Sequence, residues 1–190
     1  HRLGSENLYT AHPARFPVIG YRELFEKITM EDLVKYYNEK YVSNNALLVV
    51  GGAVSADKIM SFVEEKYGKY PKNFYQVPLL PEEPDMLNVR NKKGYRDIEG
   101  KYMRLSWLTI PITHPDLYPL DLLSEILSTG RNSRLEKVLK EEKQIVNSIN
   151  SYSLTPEYGK GEFTVTARFF ESGHEDVEKE IFTIIDDIIK

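Results

Sequence analysis

The sequence predicts an α+β fold, with helices packed on one face of a mostly antiparallel sheet. Two observations carry this. Apolar residues recur at helical spacing in some stretches and alternate or run continuously in others, and a proline-rich stretch from Pro71 to Pro84 parts them into two pieces. Pro78, Pro81 and Pro84 each delete a backbone donor and restrict the residue before, so neither a regular helix nor a central strand fits there. Residues 71–86 are therefore expected to be a linker between residues 1–70 and 87–190. Both pieces lie towards the lower end of domain size, and each is expected to be an incomplete domain.

In the first piece Thr29-Met30-Glu31-Asp32 has the form of a capping box, with the Thr29 hydroxyl set to accept from first-turn amides and Asp32 favoured by the helix dipole. A helix from Met30 to near Lys40 follows. Ala46-Leu47-Leu48-Val49-Val50 is a continuous apolar run ending at Gly51-Gly52, the pattern of a central strand covered on both faces. Ser55-Ala56-Asp57 should cap a second helix whose Ile59, Phe62, Val63 and Tyr67 share one face, with Gly68 as its left-handed stop. In the second piece Lys101 to Ile110 alternates, placing Met103, Leu105 and Trp107 opposite Tyr102, Arg104 and Ser106. Thr113-His114-Pro115-Asp116 reads as the start of a helix running through Leu117, Leu120, Leu123, Ile126 and Leu127 to Gly130. Ser133 opens a shorter basic helix to about Lys143. Val146 to Leu154 and Glu162 to Phe170 form a long-looped hairpin, and Glu175 to Lys190 carries an apolar stripe of Val177, Ile181, Ile184, Ile185 and Ile188.

Composition narrows the function. At 190 residues and 41% hydrophobic, the chain can bury one sizeable core or two small ones. Twenty-five Lys and Arg against 29 Asp and Glu give a net charge of -4, so no field attracts nucleic acid or an anionic membrane. The absence of cysteine removes disulfides and thiolate chemistry and leaves the compartment open. No apolar run approaches the roughly 20 residues that cross a bilayer.

The chemistry-bearing residues form no recognisable reaction centre. His1, His12, His114 and His174 are not spaced to share a helix face as metal ligands, and His174 with Glu178, one turn apart, reads as solvated surface. Gly51-Gly52 lacks the third glycine or Lys-Ser/Thr of a phosphate loop, and Ser133 reads as a helix cap rather than a nucleophile. The basic face of Arg131, Arg134, Lys137, Lys140 and Lys143 is diluted by Glu136, Glu141 and Glu142. Tyr36, Tyr37, Tyr41, Tyr67, Tyr70 and Tyr75 are expected to lie half-buried at a domain junction.

Several strings together resemble the insulinase/pitrilysin family of zinc metallopeptidases. They are His12-Pro13-Ala14-Arg15-Phe16-Pro17-Val18-Ile19-Gly20, Thr29-Met30-Glu31-Asp32-Leu33, Tyr36-Tyr37, and Tyr41 through Gly52. After the linker come Leu120 to Leu127, Gly130-Arg131-Asn132-Ser133-Arg134-Leu135 and Leu139-Lys140-Glu141-Glu142-Lys143. The likeness runs from about Tyr9 onward. It implies two consecutive metallopeptidase-type domains, both incomplete, from a parent that closes like a clamshell around an unfolded peptide. Residues 1–70 would end the first, catalytic-type domain and residues 87–190 would begin the second.

The same resemblance implies zinc in the parent, held by an inverted His-x-x-Glu-His helix and a later Glu. In family order these precede the His12 string, so no catalytic residue and no metal ligand is expected in this chain, which would be inactive alone. His12 is expected to be a loop histidine. The family often places an Arg and a Tyr on the substrate in the stretch matching Leu139 to Asn147. Lys140 and Asn147 stand there as the candidate substrate-binding residues, and a point-charge Lys and a phenol-less Asn reproduce that grip poorly. That departure places the chain in the zinc-bearing half, with the pair supplied by a second half or a homologous partner subunit. Ala14, where an aromatic is usual, is a smaller departure. The alternatives are a non-catalytic homologue acting as a binding or assembly subunit, and an unrelated interaction module with a tyrosine-rich surface.

Overall fold

In the computed structural model of the protein, which describes residues 2–70, 72–73, 77–169 and 173–189, three strands pair antiparallel. They are β1 (Lys101–Leu108), β2 (Ser148–Leu154) and β3 (Glu162–Phe169), in the order β1-β3-β2. The register sets Leu105 and Ser151 on either side of Val165. Because strand side chains alternate, Phe163, Val165, Ala167 and Phe169 share one face, and all four are buried. Helices α5 (Leu117–Ser128) and α6 (His174–Ile189) cover that face with Leu127 and with Val177, Ile181 and Ile184. Leu135, Leu139, Val146 and Ile149 complete the core, and Met103, Leu105 and Trp107 pack against it half-buried. Fully burying one such aliphatic side chain stabilises by about 1.5–3 kcal/mol. Among the described residues no helix is long and apolar enough to cross a membrane.

Two compact units divide the chain: Ile19–Leu79 in one, His1–Val18 together with Leu80–Lys190 in the other. The boundary at residues 79 and 80 falls inside the proline-rich stretch, of which Pro71 and Tyr75 lie outside the described residues, as do the predicted strand end Phe170 and helix end Lys190. The sheet, its two covering helices and the short helix α1 (Arg2–Leu8) belong to the larger unit. The predicted one-sided arrangement holds for α5 and α6, but α1 packs on β1 from the other side. Arg104 lies so close to Gly4 there that a Cβ would meet its Cδ at 2.8 Å and the Arg104 side chain would have to shift.

The smaller unit contains α2 (Arg22–Phe25), α3 (Met30–Lys40) and α4 (Ala56–Tyr67). The capping box is present: Thr29 Oγ1 accepts from Asp32 N at 3.2 Å, and Asp32 Oδ2 accepts from Thr29 N at 2.9 Å. Yet α3 and α4 bury no residue, and Val42 is the one buried side chain among the unit's described residues. The predicted central strand Ala46–Val50 is extended but unpaired, with Leu47 and Val49 exposed to 89% and 79%. A strand requires a neighbour's N–H and C=O groups, and among the described residues none lies beside this run. The tyrosines Tyr36, Tyr37, Tyr41, Tyr67 and Tyr70 are 54% to 69% exposed, with Tyr37 and Tyr41 stacked on each other at 4.8 Å.

Three local expectations are corrected. Gly68 ends α4 in the right-handed conformation, and Ser55 makes no side-chain cap. Helix α5 starts at Leu117 rather than beside Pro115, because His114 Nδ1 accepts the Asp116 amide at 3.1 Å and holds residues 114–116 in a turn.

One carboxylate ties the N-terminal segment to the residues after the boundary. Glu83 is 2% exposed and accepts from the Thr10, Ala11 and His12 amides, each at 2.8 Å, and from Thr10 Oγ1 at 2.7 Å. Burial alone would raise its pKa, but the donors outweigh burial and hold the carboxyl down at about 2. A depressed carboxylate stabilises the fold fully above its ordinary pKa, and that contribution is lost as pH falls towards 2. Glu83→Gln is expected to cost roughly 2–3 kcal/mol at pH 7 by denaturant unfolding. The gap from wild type should close between about pH 5 and pH 2, and a pH-independent gap would contradict the assignment.

Candidate functional site

Polar residues are gathered on the sheet face opposite the core. Arg104 Nη2 grips both carboxylate oxygens of Glu162, at 2.8 and 2.7 Å, and both residues are largely buried. Its Nε donates to Ser106 Oγ at 3.0 Å, and Ser106 shares a 2.8 Å bond with the fully buried Thr164. Tyr152 Oη reaches Glu162 at 3.4 Å, and Tyr9 Oη donates to the Lys160 carbonyl at 3.2 Å. Burial, and next the Glu162 charge, push the Tyr9 phenol up to about 12, so it stays a neutral donor. Every polar group in this set has a protein partner, which suits a structural joint between α1 and the sheet rather than a nucleophile or base.

A groove of about 740 Å³ runs along the outer edge of β1. Leu105, Trp107 and Phe182 form its apolar wall, and Asn7, Val89 and Arg90 face them. Arg90 Nη1 donates to the Asn7 and Leu8 carbonyls at 3.4 and 3.3 Å, so residues near 90 are held to α1 rather than to β1.

The two candidate substrate residues flank a distorted helix end. Residues Glu136–Glu142 form a π-helical segment, closed by Lys143 N donating to Val138 O at 2.9 Å. Such wide turns insert one extra residue and are frequent at functional sites. Gln144 then takes φ +53, Ile145 N bonds Leu139 O at 2.9 Å, and Val146 turns into the core. Lys140 is half-exposed and its ammonium is paired with Glu136 one turn away. Asn147 is exposed, with its backbone amide bonded to the Arg168 carbonyl at 2.7 Å. No hydrogen bond joins Lys140 to Asn147 among the described residues.

The basic face is neutralised locally: Arg131 pairs with Glu141, Lys137 with Glu142 and Lys143 with Glu180. Among the described residues no group of three His, Asp or Glu side chains is placed to hold a metal ion. His12, expected to be a loop histidine, precedes the short turn Pro13–Arg15, is 7% exposed, and its Nδ1 accepts the Ala14 amide at 3.2 Å. His114 Nδ1 is likewise taken by a backbone amide, and His174 sits exposed on the first turn of α6. Among the described residues, then, no donor set fits the zinc of the resembled family. The residues that spacing missed are Glu83, Tyr9 and the Arg104–Glu162 pair, whose partners lie 58 to 151 residues apart in sequence.

Together these features define an α+β domain with a polar joint and an open sheet edge but no reaction centre among the described residues. A sequence model of the family described as "Peptidase M16 inactive domain" matches residues 27–190. The chain belongs to that family, the M16 peptidases of the insulinase/pitrilysin superfamily, through its inactive-type domain. It is similar to an uncharacterized zinc protease, YmfH, of Bacillus subtilis, at 38% identity over 168 residues that cover 82% of this chain and 38% of that protein. A protease from Helicobacter pylori has the same fold, with TM-score 0.85 at 22% identity over 96% of this chain and 45% of that one. A chain in the structure of complex III2 from Candida albicans also shares the fold, with TM-score 0.61 at 16% identity over 89% and 42%. The chain spans between 12% and 42% of the length of the curated relatives it matches.

Gln144 carries a testable strain. A side chain in the left-handed region costs about 1–2 kcal/mol, which glycine escapes at some cost in unfolded-chain entropy. Gln144→Gly is expected to raise stability by up to about 1 kcal/mol in chemical denaturation; a loss of stability would show that the π-helical exit depends on the Gln144 side chain.

Proposed function

We propose that this chain is part of a zinc endopeptidase that encloses and hydrolyses peptides, in which it builds chamber wall while other segments hold the metal. The match of residues 27–190 to the inactive-type domain carries the reading. The exposed, unpaired Ala46–Val50 run supports it, since so apolar a strand is suited to a sheet with neighbours on both sides. In this reading residues 1–70 end a first, catalytic-type domain, residues 71–86 link, and residues 87–190 begin a second. Lys140 and Asn147 would line the chamber as weak substrate contacts. Lys140 offers a single charge already shared with Glu136, so the bidentate grip on substrate is assigned to a second half or a homologous partner. A second reading, a non-catalytic assembly subunit, has the shared fold of the complex III2 chain in its favour.

Zinc separates these readings. Titration calorimetry of the 190-residue chain with zinc is expected to show no tight stoichiometric binding, whereas a longer gene product carrying an upstream His-x-x-Glu-His and a later Glu should bind one zinc and cleave unfolded peptides. Tight binding by the short chain would overturn the placement of the metal. A longer product without the motif would leave the assembly reading.

A further inference from the structure

Three successive amides of the N-terminal segment, those of Thr10, Ala11 and His12, converge on one carboxylate, and the Thr10 hydroxyl joins them. Each oxygen of Glu83 accepts two of these four bonds, at 2.7 to 2.8 Å. Consecutive backbone N–H groups aimed at one anion form the concavities that proteins use for phosphate and carboxylate ligands, and peptide carboxylates are captured in the same way. The row of donors stops at Pro13, which has no N–H.

The cradle is built by its own loop rather than by its occupant. Arg15 Nη1 donates to the Thr10 carbonyl at 2.8 Å, Arg15 N to the His12 carbonyl at 3.2 Å, and Ala14 N to His12 Nδ1 at 3.2 Å. None of these bonds involves Glu83, so the donors keep their directions when that carboxylate leaves. Arg15 also brings a positive charge to the loop, and Thr10 and Ala11 place it at the surface, where both are exposed.

The occupant comes from a segment with little else to hold it. Leu80, Pro81, Glu82, Pro84 and Asp85 are exposed, whereas Glu83 is buried. Pro81 and Pro84 cannot donate, and among the described residues no backbone-to-backbone hydrogen bond fastens residues 80–85. Asp85 pairs with Lys160 at the surface. Glu83 is thus a peg on an exposed strap, a ligand tethered beside its own site. The four donors favour its charged form and hold its carboxyl at about 2, so the cradle selects an anion over a neutral group of the same shape.

We propose that Thr10–His12 is a carboxylate-binding site whose present ligand is Glu83, and that a free carboxylate takes the site in trans once Glu83 is removed. The hold on residues 80–85 is then an exchangeable ligand contact. Tethering keeps the wild-type site filled, because a cis ligand at an effective concentration on the order of millimolar or higher outcompetes a weak free one.

The test is chemical rescue of Glu83→Ala, with Glu83→Gln and the wild-type chain as controls, in sodium acetate against sodium chloride at matched ionic strength and pH. Acetate should raise the Tm of Glu83→Ala by at least about 2 °C at roughly tenfold excess over Kd. It should also move the amide signals of Thr10, Ala11 and His12 along a saturable curve. Where Glu83→Ala starts unfolded, the same acetate series should restore its folded fraction. Neither control should respond, since a Gln or Glu side chain already fills the cradle. Absence of rescue by acetate, rescue by chloride to the same extent, or an equal response of either control would overturn the proposal. Rescue by phosphate with none by acetate would overturn the assignment to a carboxylate.

Discussion

A sheet is stable only when its apolar face is covered and its edge groups find partners, and this demand governs both units of the chain. In the larger unit, α5 and α6 close over the buried face of β3, and the long-range pairing of β1 with β3 fixes the register. In the smaller unit Leu47, Leu48, Val49 and Val50 are exposed and have no partner strand among the described residues, and the helices beside them in sequence bury nothing. The same physics that makes one unit a core makes the other a surface suited to being covered.

Polar satisfaction does for the N-terminal segment what apolar burial does for the sheet. Residues 10–12 would leave amides without partners, and Glu83 collects three of them with the Thr10 hydroxyl. The Arg104–Glu162 pair next to Gly4 makes the second sheet face polar where α1 crosses it. A stretch dense in proline thus includes a residue that anchors the fold, because proline excludes helix and strand without excluding side-chain contacts.

Much of the architecture was legible in the sequence because it is periodic. The alternation at Met103, Leu105 and Trp107, the stripe from Val177 to Ile188 and the Thr29–Asp32 box each express a local rule, and each is realised. The family was legible in ordered strings of residues from His12 to Lys143. What was not legible is what depends on distant partners. Ala46–Val50 has the composition of a central strand, yet composition cannot supply a neighbour. Glu83 and Glu162 look like ordinary surface acids until the chain folds back on them, and the π-helical exit at Lys143 depends on Leu139 and Val146 both entering the core. Lys140 and Asn147 come from the resemblance alone, since within this chain Lys140 pairs with Glu136 and Asn147 is exposed.

The central claim is that one unit closes its core within this chain while residues 19–79 leave theirs open. Limited proteolysis of the 190-residue chain, with cleavage sites mapped by mass spectrometry over time, reads that difference directly. Trypsin should cut first within the smaller unit, at sites such as Lys35, Lys40, Lys58 and Lys66, while the segment from β1 to α6 survives as a resistant core. Cleavage that begins between Lys101 and Lys179, or equal resistance in both units, would contradict the account.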